Sequence, residues 1–446
     1  SDLDIEGVNF VNGDALTSSG GAFYLRRSSM YYSTFTLCAF EGNVADTTGG
    51  GAFYIEGPAQ LSFNDSTFHE NASSSTDGGA ILIAKSYVTD NISVDGINIV
   101  LDGCTITSNS SGDQGGFIYY LNNRDEAAYL TMDNCTVKYN SAANGGGVIG
   151  MFRGMDNDQT EGITIRECHF EGNTGAGGVR GAIIFTLYNG SNNVAITSST
   201  FVGNDYCLFR TRFGSSNNWD VRGCAFRDNI GPDSNTQQML VLQGAGDAYI
   251  ENCLFAGNHM GNSQKDLLYF NDAGLASQVI NCTFANNVME SGVYTKNVAA
   301  GTSNIVSNCI FAHNTVDSEG CVIGANGAVV DIDHSIFYDN LRDDGVTVTH
   351  WSGGITVGTG VVPGDATTND ASQDPLFVNS SGNTVDDLKL TAMSPAVDTG
   401  TDAGAPAYDL LGLARPQYNG YDMGALEFIQ PPLPPASADP AIWTLY

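Results

Sequence analysis

The chain has 446 residues, enough for one long solenoid or two to three ordinary domains, and 42% of them are hydrophobic, which excludes disorder as its default state. Charged residues make up only 15%, glycines number 54, and 17 Lys and Arg against 49 Asp and Glu leave a formal charge of −32. That balance suits a turn-rich all-β protein and excludes nucleic acid and anionic lipid as partners, since both require a basic surface.

The chain opens on an extended pattern, Asp4-Ile5-Glu6-Gly7-Val8-Asn9-Phe10, so a removed leader or a trimmed start is expected. No apolar run approaches the ~20 residues that cross a bilayer.

A repeat then dominates. Its clearest statement is Ile163-Thr164-Ile165-Arg166-Glu167-Cys168-His169-Phe170-Glu171-Gly172-Asn173, and the frame Cys-x-Phe-x-x-Asn recurs at Cys224, Cys253, Cys282 and Cys309. With looser copies, the centres are Phe10, Phe40, Phe68, Ile106, Val137, Phe170, Phe201, Phe226, Phe255, Phe284, Phe311 and Phe337, roughly 30 residues apart. Alternation puts the Cys and Phe of each copy on one face, with the intervening residue pointing out. One such coil cannot bury its own apolar face; coils stacked at ~4.8 Å can, giving a rod of about 58 Å. The Asn that ends each frame is expected at a turn, tolerating left-handed backbone and bonding its neighbours as a ladder.

In the early coils a glycine pair follows that Asn, at Gly20-Gly21-Ala22, Gly50-Gly51-Ala52 and Gly78-Gly79-Ala80, and more weakly at Gly115-Gly116 and Gly146-Gly147. Paired glycines permit a tight corner and a close approach of backbones. Phe-x-x-Asn together with Gly-Gly-Ala resembles the repeat of chlamydial polymorphic outer-membrane proteins and related bacterial surface β-helices. The resemblance is clearest in the first half of the chain and implies a β-helix placed outside the cell.

Eight of the ten cysteines, Cys38, Cys104, Cys135, Cys168, Cys224, Cys253, Cys282 and Cys309, share one repeat position, which Ser66, Ser199 and Ser335 take in other copies. A slot for a small, buried, weakly polar group explains this better than a disulfide framework. A mostly reduced stack is expected, with Cys207 and Cys321 outside it as a pair or as free thiols. Zinc spacing is missing.

After Asn340 the frame stops. Asp374-Pro375-Leu376-Phe377, Ser394-Pro395-Ala396-Val397-Asp398, Arg415-Pro416 and Asp422-Met423-Gly424-Ala425-Leu426-Glu427 follow in order. This series, over Asp374 to Phe428, resembles the ending of bacterial secreted β-helix proteins of the choice-of-anchor type, which implies export and surface placement. Asp398, Asp402, Asp409 and Asp422 form a weak calcium set, the one cofactor suggested; structural pairing of Asp409 with Arg415 is the favoured alternative. Gln430-Pro431-Pro432-Leu433-Pro434-Pro435 is an extended spacer before an apolar segment, Ala441 to Tyr446.

The expected fold is therefore all-β: a right-handed parallel β-helix of about twelve or more coils over 1–345, final irregular coils over 346–400, a C-terminal cap over 401–429, and a proline-rich tail with a terminal apolar strand over 430–446.

No catalytic set assembles from the sequence. Asp331-Ile332-Asp333-His334 superficially resembles a pectate-lyase segment but lacks its Trp and a matching Arg pair. Asp343-Asp344 and Asp386-Asp387 lack the companions that an inverting carboxylate pair requires. His69, His169 and His313 are expected to face solvent, and Arg210, Arg212, Asp220 and Arg222 to form surface ion pairs. The expectation is an extracellular, non-enzymatic structural or adhesive protein that can self-associate end to end through its terminal strand. The alternatives are a polysaccharide lyase or glycoside hydrolase, or a glycan-binding β-helix using exposed Tyr31, Tyr32, Tyr119 and Tyr120.

Overall fold

A computed structural model describes residues 3–430 except for 16–18, 27–30, 57–58, 85–96, 123–127, 154–159, 176–180, 182, 188–190, 206, 213–217, 232–237, 243–245, 262–265, 272–275, 298–302, 318–319 and 362–372. The strands form a parallel β-solenoid with three faces. One is a 23-stranded sheet to which most coils give two strands, and the second is a 12-stranded sheet. The third runs as six and then five short strands, bridged at Asp205, which pairs with Thr174 and Ile230.

The repeat centres lie over one another. Phe10 pairs in register with Phe40, Phe40 with Phe68, Phe68 with Ile106, and so on to Phe311 with Phe337. From Phe170 to Phe337 the rings form a continuous column, with successive centroids 4.7–4.9 Å apart and planes within 10°. All these rings belong to one core, joined by the inward residues three before the Cys or Ser slot (Leu101, Met132, Ile165, Val221, Ile250, Val306, Ile332).

Two corners of every coil need left-handed backbone. One is the residue before the Cys slot, such as Leu37, Glu167 and Asn252; the other is the residue before the ladder Asn, such as Glu70, Tyr139 and Asp228. The left-handed residue is thus the ladder Asn's predecessor, and the Asn itself is not among the positive-φ residues. This corrects the expected turn role and leaves the ladder intact. Asn43, Asn71, Asn109, Asn140, Asn173, Asn204, Asn229, Asn258, Asn287, Asn314 and Asn340 are all fully buried. At Asn173, both the backbone N–H and Nδ2 donate to Asn204 Oδ1 at 3.0 Å, and Nδ2 also donates to the Val137 carbonyl at 2.9 Å. The same pattern repeats along the rod.

The Cys slot has a matching explanation. Each thiol sits beside carbonyls of its own and the preceding coil; Cys253 Sγ lies 3.2 Å from the Glu251 oxygen and 3.5 Å from that of Val221. Ser66 uses its hydroxyl in the same way, toward Asn64 and Phe35. All ten cysteines are free thiols. Burial raises Cys224, Cys253 and Cys282 well above the ordinary thiol range.

The C-terminal region, expected to cap the end of the solenoid, folds back along its side. Phe377, Leu388, Leu390, Ala396 and Met423 form a second core with the outward-facing Ala225, Leu254, Ala256, Ala285, Ile310, Ala312 and Ile336 of the 12-stranded sheet. Corner asparagines fasten the edges: Asn252 Nδ2 donates to the Tyr408 carbonyl, Asn281 Nδ2 to that of Asp422 at 3.0 Å, and Asn308 Nδ2 to that of Thr401 at 2.8 Å. No helix among the described residues is long and apolar enough to cross a membrane.

Candidate functional site

The residues singled out in the sequence do not come together as one site. Asp409 does not pair with Arg415: its Oδ1 accepts the N–H groups of Leu411 and Leu413, and its Oδ2 accepts that of Glu427. The partner of Arg415 is Glu427, at 2.6 Å, and the guanidinium also reaches the carbonyl of Gly424 and Asn252 Oδ1. Asp422 and Asp398 are neighbours, Asp422 Oδ1 accepting the Asp398 N–H, while Asp398 Oδ1 accepts the N–H groups of Asn419 and Gly420. Asp402 is exposed. These carboxylates hold loops in place, and among the described residues no group of three or more His, Cys, Asp or Glu is arranged to hold a metal ion.

The other candidates are dispersed. Tyr119 and Tyr120, expected to be exposed, are buried: Tyr120 joins the core, and the Tyr119 ring covers the space beside Gly150 of the next coil. Tyr32 is exposed, and the side chains of Tyr31 and Arg212 lie outside the described residues. Arg222 pairs with Asp220 and, at 3.1 Å, with Glu251 of the next coil. His69 and His169 are half-buried, each with Nδ1 against a threonine of the next coil, Thr107 and Thr200. His313 Nδ1 lies 3.1 Å from Asp339. Asp333 and His334 lie 3.0 Å apart at the end of the long strand Cys321–Asp333. Asp344 pairs with Arg342 and Asp386 with Lys389, while Asp387 accepts from Asn379 and Thr384.

The structure points instead to the corner that paired glycines mark in the early coils. There the second glycine of each pair seals the corner; a Cβ on Gly51 would stand 2.4 Å from the Gly79 carbonyl oxygen. Strand register carries the same position on to Cys207, Gln238, Asp266, Gly292 and Cys321. Cys207 and Cys321 therefore share a column, with three coils between them, and do not form a pair. Along this column lies a cavity of about 390 Å³, lined by Gln238, Asp266, Tyr269, Glu290, Thr295, Asp317, Cys321, Asn326 and Ser352 among others.

Asp266 opens the strand Asp266–Asn271 and is only 3% exposed. Thr295 Oγ1, from the next coil, donates to its Oδ1 at 2.6 Å. Burial pushes the Asp266 carboxyl up to about 7, with the Thr295 bond opposing the rise. Glu290 Oε2 is buried with no hydrogen-bond partner among the described residues. Cys321 Sγ lies 3.0 Å from Ser352 Oγ, and burial raises its thiol. The cavity thus gathers three carboxyl groups from successive corners among neutral hydroxyl and amide groups. Its signal in the sequence is the decay of Gly-Gly-Ala after Gly147.

No protein-family model matches the chain, and no curated protein does. Among solved structures it is similar to the A-module of the mannuronan C-5 epimerase AlgE6 of Azotobacter vinelandii, at 10% identity and a TM-score of 0.22, covering 80% of this chain and 91% of that one.

Proposed function

We propose that this chain is a non-enzymatic structural or adhesive rod that works outside the cell. The observation that supports it most is the asparagine ladder, in which buried amides from Asn43 to Asn340 bond coil to coil along the axis. Such a column gives longitudinal cohesion that no single cleft requires. The extracellular setting rests on the repeat and the ending seen in the sequence.

End-to-end assembly is part of the proposal. Strands Leu3–Glu6, Asn9–Val11 and Asp14–Ala15 each pair on one side only among the described residues, and Leu3, Val8 and Val11 stand exposed beside them. The proposal takes this edge as a template for a strand of another subunit. The apolar segment 441–446, offered for that role by its sequence, lies outside the described residues. Electron microscopy and light scattering of the purified chain over a wide concentration range test the idea. Filaments that shorten when 430–446 is removed are expected; monomers at every concentration would overturn it.

The acidic cavity favours a second reading, a β-helix that binds or processes a polysaccharide. A screen for reducing ends and unsaturated products across acidic, neutral and basic glycans separates this reading from the first.

A further inference from the structure

The geometry points to the cavity between Asp266 and Ser352 as a binding site for a ligand carrying a primary ammonium group on a hydroxylated body, of the amino-sugar class. The inference rests on the cavity alone and holds whether or not subunits join end to end.

Three observations carry it. Asp266 is nearly fully enclosed, and Thr295 engages only its Oδ1, so Oδ2 is left for a ligand. Glu290 Oε2 is buried in the same wall with no hydrogen-bond partner among the described residues, a state that costs free energy until a donor arrives. Asp317 completes the acidic wall, and no Lys or Arg is among the described lining residues.

A neutral ligand could donate hydrogen bonds to these oxygens but would bring no opposite charge, and the described carboxyl groups lack the grouping that a metal ion needs. An ammonium group offers three donors to separate acceptors. The Tyr269 ring beside it is a further surface that attracts a cation. A bare ammonium ion, however, fills little of about 390 Å³. The rest of the wall, Gln238, Asn326 and Ser352, offers hydroxyl and amide groups suited to sugar hydroxyls.

Small residues make the room. Tyr269, Thr295, Gly324 and Ser352 stack in register, and Gly324 leaves a notch between Thr295 and Ser352. This position sets the width of the mouth.

Isothermal titration of the full chain with the β-1,4-linked glucosamine disaccharide is the test, with the N-acetylated disaccharide and cadaverine as comparisons. The free-amine sugar should bind, weaken at least tenfold in Glu290→Gln, and keep its affinity in Glu41→Gln, a charge-matched change in the distant strand Ala39–Glu41. Thermal unfolding of both variants checks that each is folded, and Gly324→Ala, which narrows the mouth, should also weaken binding. Absence of binding at millimolar sugar, equal binding of the acetylated sugar or of cadaverine, or equal loss in Glu41→Gln would overturn the proposal.

Discussion

The guanidinium of Arg415 and the carboxylate of Glu427 meet at 2.6 Å with essentially no exposure of either side chain, on the flank of a rod to which their segment has folded back. Two charges enclosed this way rely on further hydrogen bonds, which take up all but the buried Nε of Arg415 among its donors. Arg415 also bonds the Gly424 carbonyl and Asn252 Oδ1, and Glu427 accepts the N–H groups of Gln417 and Asp422. One of the partners, Asn252, belongs to a coil corner, so the ion pair ties the flank to the solenoid as well as to itself.

Removing one partner leaves the other charge buried, at a cost of about 3–5 kcal/mol. Glu427→Ala should therefore release residues 373–430 from the 12-stranded sheet while the core of the rod stays folded. Hydrogen exchange checks this: amides of the flank should lose protection and those around Phe170 and Phe226 should keep it. Replacing Arg415 and Glu427 together by Met and Leu should cost less than either single change.

The ladder allows a sharper test. Asn173 gives two donors to Asn204 Oδ1, receives the backbone N–H and Nδ2 of Asn140, and bonds the Val137 carbonyl. Asn173→Ala strands these buried groups, at roughly 1–3 kcal/mol for each one left unsatisfied. Asn173→Asp should be worse, since a carboxylate cannot donate to Asn204 Oδ1 and would be charged in a fully buried site. Chemical denaturation should rank the three proteins in that order, with Asp least stable; an Asp variant as stable as the parent would show that the ladder adds nothing.

Much of this fold was legible because each coil restates the same demands. Phe and Cys recur where side chains point in, and Asn recurs where an amide must satisfy two coils at once. The flank was not legible as such, because its partner surface is the outward face of the repeat. Its trace is a drift in composition: Thr67, Thr105 and Thr136 precede the inward residue in early coils, whereas Leu254, Ile310 and Ile336 take that place later, under Phe377 and Met423. The cavity hid for a related reason. Asp266 sits at a position whose first members are glycine, and once the glycine pair is gone after Gly147 no repeated residue marks that position, so nothing in the sequence set this carboxyl group apart.

The sealed early corner and the wall of the cavity should differ in their tolerance to added methyl groups. A Cβ at Gly51 would meet the Gly79 carbonyl at 2.4 Å and the Ala72 nitrogen at 2.6 Å, both backbone atoms that cannot step aside. Gly51→Ala should destabilise the early coils by about 1–3 kcal/mol or more. At Gly324 the nearest atoms are Cys321 Sγ and Thr295 Oγ1, both at 3.5 Å, which is ordinary contact. Gly324→Ala should leave stability nearly unchanged, and thermal unfolding of the two variants side by side decides the matter.

The buried carboxyl of Asp266 makes stability depend on pH with a definite sign. Its folded value is pushed up to about 7 by burial, whereas an unfolded aspartate titrates near 3.9. Between those values the unfolded chain has released its proton and the folded chain has kept it, so each rise in pH favours unfolding. The contribution is fully present below about pH 4 and is lost as pH climbs through 7, a total on the order of 4 kcal/mol at 1.36 kcal/mol per pH unit. Asp266→Asn keeps an acceptor for Thr295 and removes the titration. Local opening of the strands Asp266–Asn271 and Gly292–Asn297, followed by hydrogen exchange at pH 5 and pH 8, should therefore become easier with pH in the parent and change far less in the variant. At pH 8 the variant should be the more protected of the two. The reverse order would mean that the carboxylate is already matched by a positive charge, and that the corner is built around an ion pair.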